Sequence, residues 1–255
     1  MARFLFAKSK KLCVAPPRSG LTGEMIANIQ DNIARVEERI AAACLRSGRR
    51  REDVKLVAVS KTHPEESVRA AYAAGQRDFG ENRVQEAMAK CQALADLGAT
   101  WHMLGHLQSN KARVARELFQ WVHSVDSLRL AEKLAQAADP GKARLPVLIE
   151  VNLGEETSKA GVRAEELGAL AEQMAPLATL ELCGLMVIPP YSENPEDVRP
   201  YFRQLRALAR EIESRTLPNV SLRELSMGMS NDFEVAIEEG ATIVRVGTAI
   251  FGGRT

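Results

Sequence analysis

Between residues 54 and 246, short apolar runs alternate with helical segments, and this rhythm restricts the chain more than any other feature. The runs fall at 54–60, 78–81, 100–104, 121–125, 146–153, 180–188, 224–227 and 243–246. Apolar residues recur at three- and four-residue steps between them, predicting helices over 65–74, 84–97, 110–119, 128–137, 164–175, 195–214 and 232–238. Several runs are apolar almost throughout, as parallel strands covered on both faces must be. Eight such alternations in a chain of 255 residues predict one α/β domain, a closed (β/α)₈ barrel. The alternative is an open doubly wound sheet. No GxGxxG follows the first run, which argues against its dinucleotide-binding version.

Ahead of the barrel, Met25, Ile26, Ile29, Ile33, Val36, Ile40 and Ala43 trace a helical face over 22–46, and Ser47-Gly48 ends it. An extra N-terminal helix is therefore expected. Residues 1–20, "MARFLFAKSKKLCVAPPRSG", are basic and acid-free. Their apolar stretch, Phe4 to Ala7, is shorter than a secretory signal needs. They read as a disordered tail or the product of an upstream start codon, with the domain occupying 21–255.

The formal net charge is +1, which gives no footprint for nucleic acid or an acidic membrane surface. No apolar run reaches bilayer-spanning length. Cys13, Cys44, Cys91 and Cys183 are scattered without a CxxC pair and read as free thiols of a reducing, cytoplasmic compartment.

A barrel carries its chemistry at the C-terminal ends of its strands. The residues there are Lys61, Glu81-Asn82, Gly105-His106, Asp126, Asn152, Ile188-Pro189, Ser226-Met227-Gly228, and Arg245 with Gly247-Thr248. A lysine at the mouth, in partly apolar surroundings or near another cation, has a lowered pKa, and its neutral amine can attack a carbonyl to give a Schiff base. The plainer alternative for Lys61 is an ion pair with a strand-end acid such as Glu81. Ser226, Gly228 and Ser230 precede one helix start and Gly247-Thr248 another. Two glycine-bearing turns after the last two strands match the usual phosphate site of a barrel. Strand alternation puts Arg245 on the face of Gly247, where it meets either a buried acid or a ring nitrogen that it would leave unprotonated. A lysine, a phosphate cradle and such an arginine suggest pyridoxal 5′-phosphate (PLP). Spacing alone does not separate this from a Schiff-base aldolase acting on a phosphorylated sugar.

The ordered series "VAVSKTHP", "FGENRVQEA", "WHMLGHLQSNK", "VHSVDS", "VLIEVNLGEETSKAGV", "GLMVIPP" and "LSMGMSNDFEVAIEEGATIVRVGTAIFG" resembles the signatures of the pyridoxal-phosphate homeostasis proteins, from about Ile26 to Gly253. That resemblance implies a single barrel of the alanine-racemase type (fold type III) holding PLP as an aldimine on Lys61. It implies Ser226, Met227, Gly228, Gly247 and Thr248 around the phosphate, Arg245 facing the pyridine nitrogen, and Asn82 close to the cofactor. Many relatives carry tyrosine after that asparagine; here the residue is Arg83, so no tyrosine role transfers. Lys159 matches a basic loop placed near the pocket.

His106 invites a general-acid or metal reading, but no second histidine stands at ligand spacing and the family implies no metal. His106, Gln108 and Asn110 are read as loop-ordering, with Asn110 a helix cap. The resemblance implies a non-catalytic carrier of vitamin B6, handling PLP between supplying enzymes and apo PLP-dependent enzymes, as a monomer. The competing reading is a PLP-dependent racemase or decarboxylase. Two-sided proton transfer needs a second base opposite the lysine. The tyrosines, Tyr72, Tyr191 and Tyr201, stand in no strand-end motif, and the sequence stops directly after the barrel without a second domain. A sugar-phosphate barrel ranks last.

Overall fold

The computed structural model describes residues 23–139, 141, 143–154 and 160–253. The expected tail at 1–20, Cys13 and Lys159 lie outside the described residues. The chain opens with α1 (Gly23–Arg46), then β1 (Lys55–Val59), α2 (Glu65–Ala73), β2 (Asp78–Glu81), α3 (Val84–Ala93), β3 (Thr100–Met103), α4 (Ala112–Leu118), β4 (Trp121–Val125) and α5 (Leu128–Gln136). There follow β5 (Leu145–Asn152), β6 (Val162–Arg163), α6 (Ala164–Met174), β7 (Leu180–Met186), α7 (Arg199–Glu213), β8 (Val220–Ser226), α8 (Phe233–Glu238), β9 (Ile243–Val246) and α9 (Thr248–Phe251).

The strands pair in parallel in the order β4-β3-β2-β1-β9-β8-β7-β5, and β4 also pairs with β5. The sheet thus closes on itself as an eight-stranded parallel barrel of the expected class. β6 is an addition: Val162 and Arg163 pair with Val151 and Asn152 at the end of β5. Two residues carry no periodicity, so this strand had no sequence signal. β8 starts at Val220, four residues before the expected run, because Val220 pairs with Leu182 although exposed Arg223 interrupts the apolar pattern. Asn110 is not a cap: a short 3₁₀ turn, Ser109–Lys111, intervenes and α4 starts only at Ala112.

Two apolar cores result. The larger lies between strands and helices and includes Ala58, Phe79, Met103, Val122 and Ile149. The smaller fills the barrel: Val57, Val59, Leu104, Leu148, Met186 and Ile243. Alternation along each strand assigns a side chain to one core or the other. Gly80 makes the interior possible, since a Cβ there would lie 2.3 Å from Leu104 Cδ1.

α8 has six residues and α9 four, too few to cover β9 and β1. α1 lies against α2, α8 and α9, and its buried side chains share the outer core with Leu56 and Ala58 of β1 and Val244 and Val246 of β9. Its buried face is Ile29, Ile33, Val36, Ile40, Ala43 and Cys44, the predicted face from Ile29 onward, whereas the expected Ile26 is exposed. Arg39 pairs with Glu234, Arg46 with Glu238, and Asn32 Nδ2 donates to Ile250 O at 2.8 Å. No described helix is long and apolar enough to cross a membrane. Cys44, Cys91 and Cys183 are free thiols.

Candidate functional site

Lys61 leaves the C-terminal end of β1, half-buried, in a tightly held turn. Ser60, just before it, is fully buried; its Oγ donates to Glu81 Oε1 at 2.7 Å. Lys90 of α3 donates to Ser60 O at 2.6 Å and to Glu81 Oε1 at 2.7 Å. Thr62, just after it, donates its backbone N–H to Glu86. Thr62 has φ 67°, a conformation that a β-branched residue keeps only when its surroundings fix it. Glu81 is thus engaged by Ser60 and Lys90 on the outer side of the sheet.

β9 adjoins β1, with Val57 beside Arg245 and Ala58 beside Val246. The chain leaving β9 at Gly247-Thr248 thus emerges next to the chain leaving β1 at Lys61. An ideal Cβ on Gly247 would sit 3.4 Å from Val59 O, so the two exits are close. Ser230, in the turn after β8, accepts from the N–H groups of Gly247 and Ala249, both at 3.3 Å. One hydroxyl therefore ties the last two turns into a single cradle. Gly228 lies in it at φ 94°, and a Cβ there would meet Ala236 Cβ at 2.6 Å and Phe233 Cα at 2.9 Å, so only glycine fits. The N–H groups of Gly228, Ser230 and Thr248 find no acceptor among the described residues. Unpaired N–H donors in two turns tied together at the mouth fit an anion.

Ser226 and Met227 make contacts within the protein. Alternation turns Ser226 into the barrel, where its Oγ accepts from Arg245 Nη1 at 2.8 Å and lies 2.8 Å from His123 Nδ1. Met227 packs in the outer core, and its N–H donates to Ile243 O at 3.1 Å. Arg245 is 4% exposed and also donates to Val187 O at 2.9 Å. Burial lowers its pKa to about 10, with Asp232 and Glu150 pulling the other way, so it remains a cation at neutral pH. Asn82 is half-buried at the end of β2, its backbone packed against Gly105, where a Cβ would lie 2.4 Å from Asn82 O. Arg83 is exposed. His106 pairs with Asp126 at 2.9 Å. No group of three or more potential metal ligands assembles among the described residues.

The alanine racemase N-terminal domain family matches residues 26–255. The pyridoxal phosphate homeostasis protein of Aquifex aeolicus is 49% identical over 227 residues, covering 89% of this chain and 99% of that protein. The protein of that name from Pseudomonas aeruginosa is 48% identical over 229 residues, covering 90% and 97%. This chain belongs to the pyridoxal phosphate homeostasis protein family. PipY of Synechococcus elongatus PCC7942, in its structure with PLP bound, is 45% identical and superposes with a TM-score of 0.76 over 88% of this chain and all of that one. The alanine racemase of Corynebacterium glutamicum, 19% identical, superposes at 0.62 over 90% of this chain and 61% of its own, and shares the barrel alone. The relative from Escherichia coli K12, 44% identical over 232 residues, carries the same homeostasis name.

Sequence reasoning assigned no role in the barrel interior to three buried polar residues, His102, His123 and Glu150. The available signal was a polar residue at an inward position of an otherwise apolar strand. Glu150 stands beside Arg245, Asp126 and His106; burial raises its pKa to about 7, with Arg245 and His106 lowering it and Asp126 raising it.

Proposed function

We propose that this member of the family is a PLP carrier that holds the cofactor covalently at Lys61, as an aldimine, and takes part in the intracellular supply of vitamin B6. One observation carries this reading: Lys61 and an anion cradle of unpaired N–H groups leave adjacent strands at the same end of the barrel. A 45% identical structure with PLP bound supports it. PLP supplies an aldehyde that reacts with amines and a phosphate that anchors it.

The chain's residues divide the work. The Lys61 amine attacks the aldehyde carbon; a C=N bond forms and the oxygen leaves as water. Gly228, Ser230, Gly247 and Thr248 form the phosphate cradle, held as one piece by the Ser230 hydroxyl. Arg245 faces the ring nitrogen as a permanent cation, which leaves that nitrogen unprotonated and the ring a poor sink for electrons. This suits storage better than turnover. Ser226 acts on Arg245 and not on the phosphate, and Met227 contributes through packing. Asn82 borders the ring side of the mouth. Of the three tyrosines, Tyr72 and Tyr201 lie on outer helices, and Tyr191 is exposed to solvent in the loop after β7 and not held in the barrel. The carrier works as a monomer and passes PLP to apo-enzymes.

The test is the absorbance of the purified protein with PLP, before and after borohydride, with a peptide map of the product. Lys61 is expected as the reduced residue, and Lys61→Ala is expected to lose the band while retaining weak, phosphate-driven binding. A Lys61→Ala protein with the band at full intensity overturns the assignment. Exchange of α-protons from added amino acids at enzyme-like rates would replace the carrier with a racemase-type enzyme.

A further inference from the structure

A file of polar side chains runs from Arg245 through the barrel interior to its opposite end. Arg245 Nη1 meets Ser226 Oγ at 2.8 Å, and Ser226 Oγ meets His123 Nδ1 at 2.8 Å. His123 Nε2 meets His102 Nδ1 at 3.0 Å, and His102 Nε2 meets Asp78 Oδ1 at 2.9 Å. Lys55 Nζ also donates to Asp78 Oδ1, at 3.2 Å. The members sit on β9, β8, β4, β3, β2 and β1. Ser226, His123 and His102 are fully buried; the side chains of Asp78 and Lys55 are 20% and 38% exposed at the N-terminal ends of their strands. Apolar residues would fill the same space without the cost of desolvating two imidazoles. The file therefore needs a reason beyond packing.

Its chemistry admits one arrangement of protons. Burial opposes ionisation of Asp78, but His102 and then Lys55 outweigh it, and the carboxyl lies below its ordinary range. An ionised carboxylate only accepts, so His102 Nε2 carries hydrogen. Burial lowers the pKa of His102, opposed by Asp78, and lowers that of His123 further, aided by His102, Arg245 and Lys55. Both rings are thus neutral. His102 Nδ1 then accepts, His123 Nε2–H donates to it, and His123 Nδ1 accepts from the Ser226 hydroxyl. Ser226 has spent its only hydrogen on His123 and meets Arg245 purely as an acceptor. Every donor in the file points from the mouth toward Asp78.

We propose that Asp78 is a remote positioning residue for Arg245, acting through His102, His123 and Ser226: the floor carboxylate fixes the direction of the file and so the orientation of the guanidinium at the mouth. Reversing the file would make Ser226 Oγ accept from His123 Nδ1–H as well as from Arg245 Nη1, dividing one oxygen between two donors and leaving its own buried hydrogen without the His123 acceptor, which loosens its hold on the guanidinium. Asparagine at position 78 has both a donor and an acceptor and no longer selects one direction. The consequence for the cofactor rests on the carrier reading above; the proton arrangement does not.

The experiment therefore begins with the cofactor-free protein. Nitrogen-15 NMR of the wild-type histidine side chains is expected to show both His102 and His123 neutral and protonated at Nε2. Hydrogen on Nδ1 of either ring, or an imidazolium, overturns the proposal without any variant having to fold. Asp78→Asn is expected to give mixed tautomers and faster solvent exchange of the Arg245 guanidinium hydrogens. Unchanged Arg245 exchange in a folded Asp78→Asn protein also overturns it. With PLP added, the same variant is expected to keep the Lys61 band, shift its maximum, and lose cofactor on the order of tenfold faster, an ordinary size for coupling between sites. A band and a release rate equal to wild type count against the proposal. Absence of any Lys61 band in the wild type sinks the carrier reading and leaves the tautomer and exchange measurements to decide this one.

Discussion

Glu150 stands on β5, 7% exposed, where its charge is hardest to keep. Its pKa of about 7 exceeds the ordinary 4.5, so the folded chain holds this proton more tightly than the unfolded chain does. Folding stability is then lost as pH rises from about 4.5 to 7, and above 7 the whole cost is present. At about 1.4 kcal/mol per pH unit the cost is about 3 kcal/mol. Glu150→Gln removes the titration. Urea unfolding across that window is expected to show the wild type falling relative to the variant, and the two staying level below pH 4.5; parallel profiles throughout would show the carboxyl to be ordinary. Residues like this one were the least legible in the sequence. Lys61 and Arg245 could be found because each closes a strand at a place where barrels carry chemistry. Glu150, His102 and His123 sit one layer deeper, and their partners come from strands far apart in the chain. Asp78 and His102, for instance, are 24 residues apart, and His123 and Ser226 are 103 apart. No local pattern encodes such pairs.

At the scale of elements, β1, β2 and α3 meet at one ion cluster behind Lys61. Lys90 is nearly buried and Glu81 wholly so, and Glu81 Oε2 has no partner among the described residues. Burial raises the Glu81 pKa although Lys90 and Ser60 lower it, so this carboxylate depends on its lysine. Removing one partner of a buried pair leaves an uncompensated charge, whereas removing both is nearly harmless. Lys90→Met is therefore expected to cost about 3–5 kcal/mol in urea unfolding and to slow capture of PLP by freeing the carbonyl of Ser60 beside Lys61. Adding Glu81→Gln is expected to restore most of the stability; a double variant no better than Lys90→Met would mean that packing of the lysine stem matters more than the charge. The strands themselves were easy to read where both faces are covered, as in β1 and β5. They were hard to read where an exposed polar residue interrupts the apolar pattern, as Arg223 does in β8, or where a strand is only two residues long, as β6 is. Backbone pairing across the barrel, and not the side-chain pattern, sets those limits.

For the whole molecule, the decisive element is the one outside the eightfold repeat. A barrel whose last helices span six and four residues leaves β9 and β1 exposed on their outer face, and these strands carry Arg245 and lead to Lys61. α1 closes that gap, so its packing is part of barrel closure and not an appendage. Ile40 is fully buried in its C-terminal half. Ile40→Ala is expected to cost about 2–5 kcal/mol by removing buried methylenes and leaving a cavity. The chain's two tryptophans, Trp101 and Trp121, report from β3 and β4, and β4 lies across the barrel from the β9–β1 seam. If closure is all-or-none, the variant shifts the unfolding midpoint equally by tryptophan fluorescence and by far-ultraviolet circular dichroism. If α1 were a separate unit, the dichroism would lose a helical fraction first, with the tryptophans unmoved. Coincident transitions are expected, because a closed sheet with one face open to water has no stable partial form: the strands that α1 covers are the same ones that complete the ring.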